Sequence, residues 1–278
     1  MGMKDFDNIY KRFVNAIKSL RNNPKEVTTE IVSNPRKALY YLLKGPTHAL
    51  AISLDKIGIP SKTIMKYIDK LRSDRLFYED FFRRIETAKK KEQKIGGWMP
   101  LELLEIIYAI VRYVRPKIVV ETGVGPGSST RFILRALHDN NYGVLYSIDL
   151  PGFDKEYYPK IGKCYHIHTL DGKIGWLVPE ELKYRWKLII GDAKIELPKL
   201  LKELGTIDVF LHDSLHTYEH MMFEYTQAWR HLRVSGILMS DDVNEGWSLA
   251  FIDFCKERDA PYVVIRKRLG VARKVEHT

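Results

Sequence analysis

From residue 98 onward the sequence alternates between short apolar runs and amphipathic segments, and this alternation constrains the fold more than any other feature. The apolar runs predict buried strands separated by helices, a pattern typical of a parallel sheet with helices on both faces. We therefore predict a doubly wound α/β fold whose last two strands form an antiparallel hairpin joined through Leu269–Gly270. The seven predicted strands cover residues 117–121, 144–149, 187–192, 207–213, 236–242, 262–266 and 271–275.

The positive charge of the chain is concentrated in its first third. The formal net charge is +10, yet residues 97–278 hold 24 Lys and Arg against 24 Asp and Glu. Residues 1–96 hold 21 basic and 11 acidic side chains, so the whole excess belongs there. Such asymmetry predicts two parts with different roles, a basic helical N-terminal cap over residues 1–96 and a catalytic unit over residues 97–278.

The basic third admits three interpretations. Apolar residues recur at helical spacing over Phe6–Leu20 and Ile64–Leu71, which indicates helices packed over the catalytic unit, and this interpretation is favoured. The cap could also mediate homo-oligomer formation. Alternatively, dense Lys and Arg could bind nucleic acid or another anionic surface, or reflect only a charge-rich composition. Nucleic acid is the less favoured partner because no RNA-binding module is evident.

Cysteine content and hydropathy bound the cellular setting. The two cysteines, Cys164 and Cys255, are too few for a disulfide scaffold, and a reducing cytoplasm is the simplest expectation. The most apolar stretches are interrupted by charged residues, so no transmembrane segment is predicted.

A glycine-rich loop follows the first predicted strand. It reads Glu121-Thr-Gly123-Val-Gly125-Pro-Gly127-Ser128, and such a loop allows a ligand to approach the backbone at the start of the next helix. The position that would carry the third glycine of a dinucleotide fingerprint is Ser128, which disfavours NAD. We take Glu121, Gly123, Gly125, Gly127 and Ser128 as candidate cofactor-binding residues.

Acidic residues also end the second and third strands. Asp149 is suited to accept hydrogen bonds from ribose hydroxyls, and Asp192 is suited to an adenine amino group. Either residue alone would be more simply a turn or helix cap. Together with the glycine loop, they give a pattern that resembles class I S-adenosylmethionine (SAM) methyltransferases. That resemblance implies a Rossmann-like fold with SAM as the cofactor.

Three carboxylates follow the fourth and fifth strands. Asp213 ends one strand, and Asp241 and Asp242 end its neighbour in such a sheet. Carboxylates that converge on one point repel each other unless protons or a cation intervene, and Mg²⁺ prefers oxygen ligands. This arrangement predicts a magnesium site.

The sequence between these strands strengthens the resemblance. The motif D-x-x-H-[ST]-Y-E beginning at Asp213, the later G-x-L-x-x-D-D, and Gly175–Pro179 are similar to a branch with macrolide-sugar and rhamnosyl O-methyltransferases and cephalosporin-pathway proteins. The resemblance covers about residues 96–278. It implies that Asp213, Asp241 and Asp242 hold the metal and that His216 is the catalytic base. Many relatives have a second acid where this chain has Leu215, a departure that weakens the metal prediction.

The predicted activity is a SAM-dependent O-methyl transfer, Mg²⁺-assisted, to a hydroxyl of a small molecule or glycan. An aromatic-rich insertion at residues 150–178, with Tyr157, Tyr158, Tyr165 and Trp176, could stack on the acceptor or simply be packed. The alternatives are an RNA methyltransferase that uses the basic third, and a non-catalytic SAM-binding protein. A nicotinamide oxidoreductase is the least favoured. For His216, the competing interpretation is a helix-start residue that only bonds a carboxylate.

Overall fold

The structure, a computed structural model, describes residues 45–91, 99–150, 173–244 and 248–276. Helices and strands alternate along the described chain after a helical N-terminal portion. The elements are α1 (Pro46–Ala51), a 3-10 helix (Ile52–Ile57), α2 (Ser61–Ser73), α3 (Arg75–Lys91), α4 (Leu101–Val114), β1 (Ile118–Thr122), α5 (Ser128–Asn140), β2 (Val144–Asp149), a 3-10 helix (Glu180–Arg185), β3 (Trp186–Ile190), α6 (Ala193–Leu204), β4 (Ile207–His212), α7 (Tyr218–His231), β5 (Leu232–Ser240), α8 (Ala250–Glu257), β6 (Tyr262–Ile265) and β7 (Leu269–Arg273).

The seven strands form one sheet in the order β3-β2-β1-β4-β5-β7-β6. Strands β1 to β5 are parallel, whereas β7 runs antiparallel to both β5 and β6. One face of the sheet packs against α2 to α5 and the other against α6 to α8, each through a buried apolar cluster. The predicted doubly wound, mostly parallel sheet with an antiparallel C-terminal strand is confirmed.

The connection between the last two strands differs from the prediction. The turn lies at Arg266–Arg268 and not at Leu269–Gly270, because Arg266 and Lys267 adopt left-handed backbone angles (φ 53° and 50°) without a glycine. Gly270 lies within β7, where a Cβ atom would come within 2.6 Å of the Phe251 ring. The glycine therefore serves helix–sheet packing, and the turn brings Arg268 to the end of the hairpin.

The described part of the basic third is packed against the sheet domain. Residues of α2 and α3 share one apolar cluster with α4, α5 and the sheet. Buried Glu105 of α4 accepts hydrogen bonds from Thr47 (2.8 Å), Arg72 (2.8 Å) and Tyr78 (2.9 Å). Because a buried carboxylate is costly without such partners, these bonds fix the cap to the domain. In residues 45–91 the cap and the catalytic unit thus share a core.

Some sequence predictions fall on other parts of the chain. The predicted Phe6–Leu20 helix and the insertion residues Tyr157, Tyr158 and Tyr165 lie outside the described residues. Within the described ranges, every helix is too short or too polar to cross a bilayer.

Candidate active site

The carboxyl ends of the central strands are joined by backbone hydrogen bonds along one edge of the sheet. The amide of Gly123 donates to Ile148 at the end of β2 (2.8 Å), and that of Asp213 donates to Thr122 at the end of β1 (2.8 Å). The amide of Asp241 donates to His212 at the end of β4 (2.9 Å). Strand order reverses between β1 and β4, and ligands of open α/β sheets bind at such a point.

The glycine loop adopts a backbone that side chains would disturb. Gly123, Gly125 and Gly127 have φ of 81°, 50° and 87°, in the left-handed region that glycine tolerates. A Cβ atom at Gly127 would lie 2.8 Å from Cα of Gly175, whose amide donates to Gly125 (2.8 Å). The Gly175–Pro179 motif noted in the sequence therefore packs on the loop. The bare backbone beside the start of α5 fits a cofactor that approaches it closely.

Replacing Gly123 by alanine is expected to disrupt this edge. The new Cβ would lie 1.9 Å from the Asp213 carbonyl oxygen, so the β1 loop and the end of β4 would have to separate. Left-handed strain alone costs about 1–3 kcal/mol. Gly205→Ala is the matched control, because Gly205 also has a positive φ (72°) but nothing within 4 Å of a Cβ. Urea denaturation should show a larger loss for Gly123→Ala, and equal losses would contradict the role of the close contact.

Glu121 lies beneath the loop. Its side chain is fully buried and accepts hydrogen bonds from Ser129 (2.6 Å), Thr130 (2.8 Å) and Ser147 (2.8 Å). Burial raises the pKa of the Glu121 carboxyl to about 7, although the three hydroxyl donors oppose that shift. In this arrangement Glu121 ties the start of α5 to β1 and β2, and direct cofactor binding by it stays a prediction. Ser128, also buried, begins α5.

Asp149 is the last residue of β2, as predicted, whereas β3 ends at Ile190 and Asp192 lies two residues beyond it, before α6. Oδ2 of Asp149 accepts hydrogen bonds from the amides of Val124 (2.9 Å) and Gly125 (2.7 Å). Asp192 caps α6 through the Lys194 amide (2.8 Å). Asp149 therefore holds the glycine loop, and Asp192 stabilises the start of α6. Their roles toward ribose and adenine stay predictions.

The three carboxylates after β4 and β5 form an acidic cluster, defined as Asp213, Asp241 and Asp242. Asp241 is 1% exposed, and Asp242 has a left-handed backbone (φ 52°). Burial, followed by the charges of Asp241 and Asp242, raises the pKa of the Asp213 carboxyl well above its usual range. Burial and Asp241 likewise raise the pKa of Asp242 to about 6. Such shifts are expected where carboxylates crowd together.

A guanidinium group lies against this cluster. Arg268 donates from Nε to Asp241 Oδ1 (2.8 Å) and from Nη2 to Asp241 Oδ2 (2.6 Å). The same Nε lies 3.2 Å from Asp242 Oδ1. Nothing local in the sequence identified this residue, because its partners lie 26 and 27 positions away along the chain and the hairpin turn was placed elsewhere.

The predicted magnesium ion would need carboxylate oxygens of the acidic cluster as its ligands. Both oxygens of Asp241 are engaged by Arg268, and Asp242 also contacts that guanidinium. In the part of the chain that the structure describes, no group of three or more His, Cys, Asp or Glu side chains is arranged to hold a metal. The residues in this conformation fit a guanidinium ion and not a divalent cation. The prediction that Asp213, Asp241 and Asp242 bind Mg²⁺ therefore lacks geometric support.

His216 lies beside the acidic cluster, in the segment between β4 and α7. Its Nε2 is 3.9 Å from Asp213 Oδ1 and 4.0 Å from Asp242 Oδ2. The imidazole is 16% exposed and packs edge-on against His212, with ring centroids 5.2 Å apart. Burial, followed by the charge of His212, lowers the pKa of His216 to about 3. In this conformation the His216 imidazole is therefore neutral at physiological pH.

A buried polar cluster behind His216 escaped the sequence analysis. Glu224 of α7 is fully buried and bonds His212 Nδ1 (2.6 Å) and His220 Nε2 (2.8 Å). Thr122 (2.5 Å) and Ser214 (2.8 Å) donate hydroxyl hydrogen bonds to the same carboxylate. The one available signal was the spacing of His220 and Glu224, which puts them on the same face of a helix.

Comparisons with known proteins agree with this architecture. Residues 120–243 match a protein family described as a methyltransferase domain. Among solved structures, the chain is similar to an O-methyltransferase from Bacillus cereus in complex with SAH, with 13% identity, a TM-score of 0.51, and 76% of this chain and 99% of that chain covered. It is also similar to the SAH-bound methyltransferase PaMTH1 of Podospora anserina, with 16% identity, a TM-score of 0.50, and coverage of 71% and 88%. No curated protein matches the chain.

Proposed function

We propose that this SAM-dependent methyltransferase transfers a methyl group to a hydroxyl oxygen of a small molecule or glycan, with His216 as the base. The observation that carries the proposal is the placement of neutral His216 and the acidic cluster at the same sheet edge as the glycine loop. The motif around Asp213, similar to macrolide-sugar and rhamnosyl O-methyltransferases, supports a hydroxyl acceptor.

SAM, when bound, supplies an electrophilic methyl group on a sulfonium sulfur. The glycine loop with Asp149 and Asp192 would hold this cofactor by its amino acid, ribose and adenine parts. The acceptor oxygen has to lie about 3–3.5 Å from the methyl carbon, in line with the departing sulfur. As the new carbon–oxygen bond forms, the hydroxyl loses its proton. Nε2 of His216 would take up that proton, because it lies about 4 Å from Asp213 and Asp242 and a hydroxyl bound among these groups is within its reach.

An acceptor screen tests the proposed function. The full chain is incubated with methyl-labelled SAM and separate panels of phenols, sugars, glycans and RNA, and the methylated atom is located by mass spectrometry. We expect an O-methylated small molecule or glycan together with S-adenosylhomocysteine. Methylation confined to RNA would contradict the proposed acceptor class. SAH binding without turnover on any panel would indicate a non-catalytic SAM-binding protein.

Asp149→Ala is expected to weaken SAH binding about 10- to 100-fold, since a hydrogen bond to a charged group contributes about 1.5–3 kcal/mol. Asp149→Asn keeps an acceptor for the loop amides and should lose less affinity. Calorimetric titration measures both variants. Unchanged SAH affinity in Asp149→Ala would remove this residue from the proposed cofactor site.

A further inference from the structure

Arg268 is held rigidly at the end of the β6–β7 hairpin. Ile265 and Leu269 are paired across the hairpin, and the Arg268 amide donates to the Ile265 carbonyl (3.1 Å). The carbonyl of Arg268 accepts from the amide of Val243, just after the acidic cluster (2.8 Å). Both backbone groups of Arg268 are therefore fixed, and its side chain begins next to the end of β5.

The register between β5 and β7 explains why the guanidinium meets the acidic cluster. Ser240 is paired with Gly270 in an antiparallel ladder, so residues that follow Ser240 oppose residues that precede Gly270. Continuing that register by two residues places Asp242 opposite Arg268. The contact is thus a consequence of the sheet and does not depend on a flexible loop.

Arg268 supplies the positive charge that the predicted Mg²⁺ ion was expected to supply to the acidic cluster. Three carboxylates at one point need a positive partner, and Arg268 provides one through two parallel hydrogen bonds to Asp241 and a contact to Asp242. A guanidinium keeps its proton throughout the physiological pH range and matches carboxylate geometry. A divalent ion would have to displace it from the same oxygens.

We propose that Arg268 is the resident cation of the acidic cluster, so that methyl transfer by this enzyme requires no divalent metal. Arg268 acts as a positioning residue, because its hydrogen bonds to Asp241 and its contact with Asp242 keep both side chains in place at the sheet edge beside His216. Only the statement about methyl transfer rests on the proposed function. The charge relation between Arg268 and the cluster can be tested without any acceptor.

Manganese titration of the full chain, followed by calorimetry and by the electron paramagnetic resonance of free Mn²⁺, tests this proposal. We expect no stoichiometric Mn²⁺ binding to the wild type, and one bound Mn²⁺ per chain in Arg268→Ala, at least tenfold tighter than in the wild type. Arg268→Lys, which keeps the charge, should behave like the wild type. The double variant Arg268→Ala/Asp241→Asn should lose the new site, which a merely structural role of Arg268 does not predict.

The hairpin offers a matched control. Arg266 lies in the same turn with similar exposure, but its guanidinium pairs with Glu102 (2.9 Å). Arg266→Ala should therefore create no manganese site. The proposal would be overturned if the wild type bound one Mn²⁺ per chain and Asp241→Asn lost that binding. This comparison does not need Arg268→Ala to fold. Failure of a folded Arg268→Ala to bind Mn²⁺ would also overturn it.

Once an acceptor is known, wild-type activity should be unchanged by EDTA. Loss of activity with EDTA that returns with Mg²⁺ would contradict metal independence while supporting the proposed function. This experiment therefore distinguishes a failure of metal independence from a failure of the proposed O-methyl transfer.

Discussion

His216→Ala is expected to lower kcat about 100- to 10,000-fold, the usual contribution of a positioned general base. The side chain lies about 4 Å from both Asp213 and Asp242, so an acceptor hydroxyl bound among these groups is within its reach. SAH affinity should not change, because the glycine loop, Asp149 and Asp192 lie on other strand ends. Steady-state kinetics with the acceptor identified in the screen, and calorimetry with SAH, measure the two quantities.

His138→Ala is the control for this prediction. His138 is 50% exposed near the end of α5 and belongs to none of the clusters at the sheet edge. Its variant should retain wild-type kcat. If His216→Ala is as active as His138→Ala, the histidine is a helix-start residue that bonds a carboxylate, and catalysis depends on proximity and orientation alone.

Glu224→Gln is expected to lower the free energy of unfolding by about 3–5 kcal/mol at pH 7, because a hydrogen bond to a charged group contributes about 1.5–3 kcal/mol and the amide cannot keep all four hydrogen bonds of the carboxylate. The carboxylate is fully buried between His212 and His220 and accepts two further hydroxyl hydrogen bonds. A glutamine amide has one acceptor oxygen and a donor NH₂ group, so it can accept only some of these bonds. Urea denaturation of both proteins gives the difference.

The pH dependence of that difference has a definite sign. Burial by itself raises the pKa of Glu224, but the charges and hydrogen bonds of His212 and His220 outweigh it and lower the pKa below its ordinary value of 4.5. The unfolded chain therefore binds the proton first on acidification, so the stabilisation by Glu224 is complete above pH 4.5 and declines below it. The gap between wild type and Glu224→Gln should narrow as the pH falls from 5.

Glu219→Gln serves as the control on the same helix. Glu219 is exposed in the first turn of α7, and its replacement should change stability by less than about 0.5 kcal/mol at any of these pH values. A Glu224→Gln variant as stable as Glu219→Gln would mean that the buried cluster contributes no net stability.

Much of the sheet edge could be predicted because its signals are local. Apolar runs predict strands, and parallel strands bring their carboxyl ends to one edge, so Asp213 and Asp241 were expected at that edge. That their two strands are neighbours was implied by the resemblance to class I methyltransferases. The glycine loop could also be recognised from the sequence, because its residues are consecutive in the chain.

The features that the sequence did not predict depend on contacts between distant segments. Glu224 lies 102 positions from Thr122, and neither residue type identifies the other as a partner. The β5–β7 register places Arg268 opposite Asp242, and the sequence did not show this because the turn at Arg266–Arg268 lacks the glycine that was expected to mark it. Residues 103–112 of helix α4 are buried throughout, because the cap helices, which are distant in sequence from the sheet, cover its outer face.

We expect the glycine loop and the neighbouring strand ends to hold SAM. Calorimetric titration of the full chain with S-adenosylhomocysteine and, separately, with NAD measures this binding. One molecule of S-adenosylhomocysteine should bind per chain, and NAD should bind much more weakly or not at all. Tighter binding of NAD, or no binding of S-adenosylhomocysteine by the folded protein, would contradict this expectation.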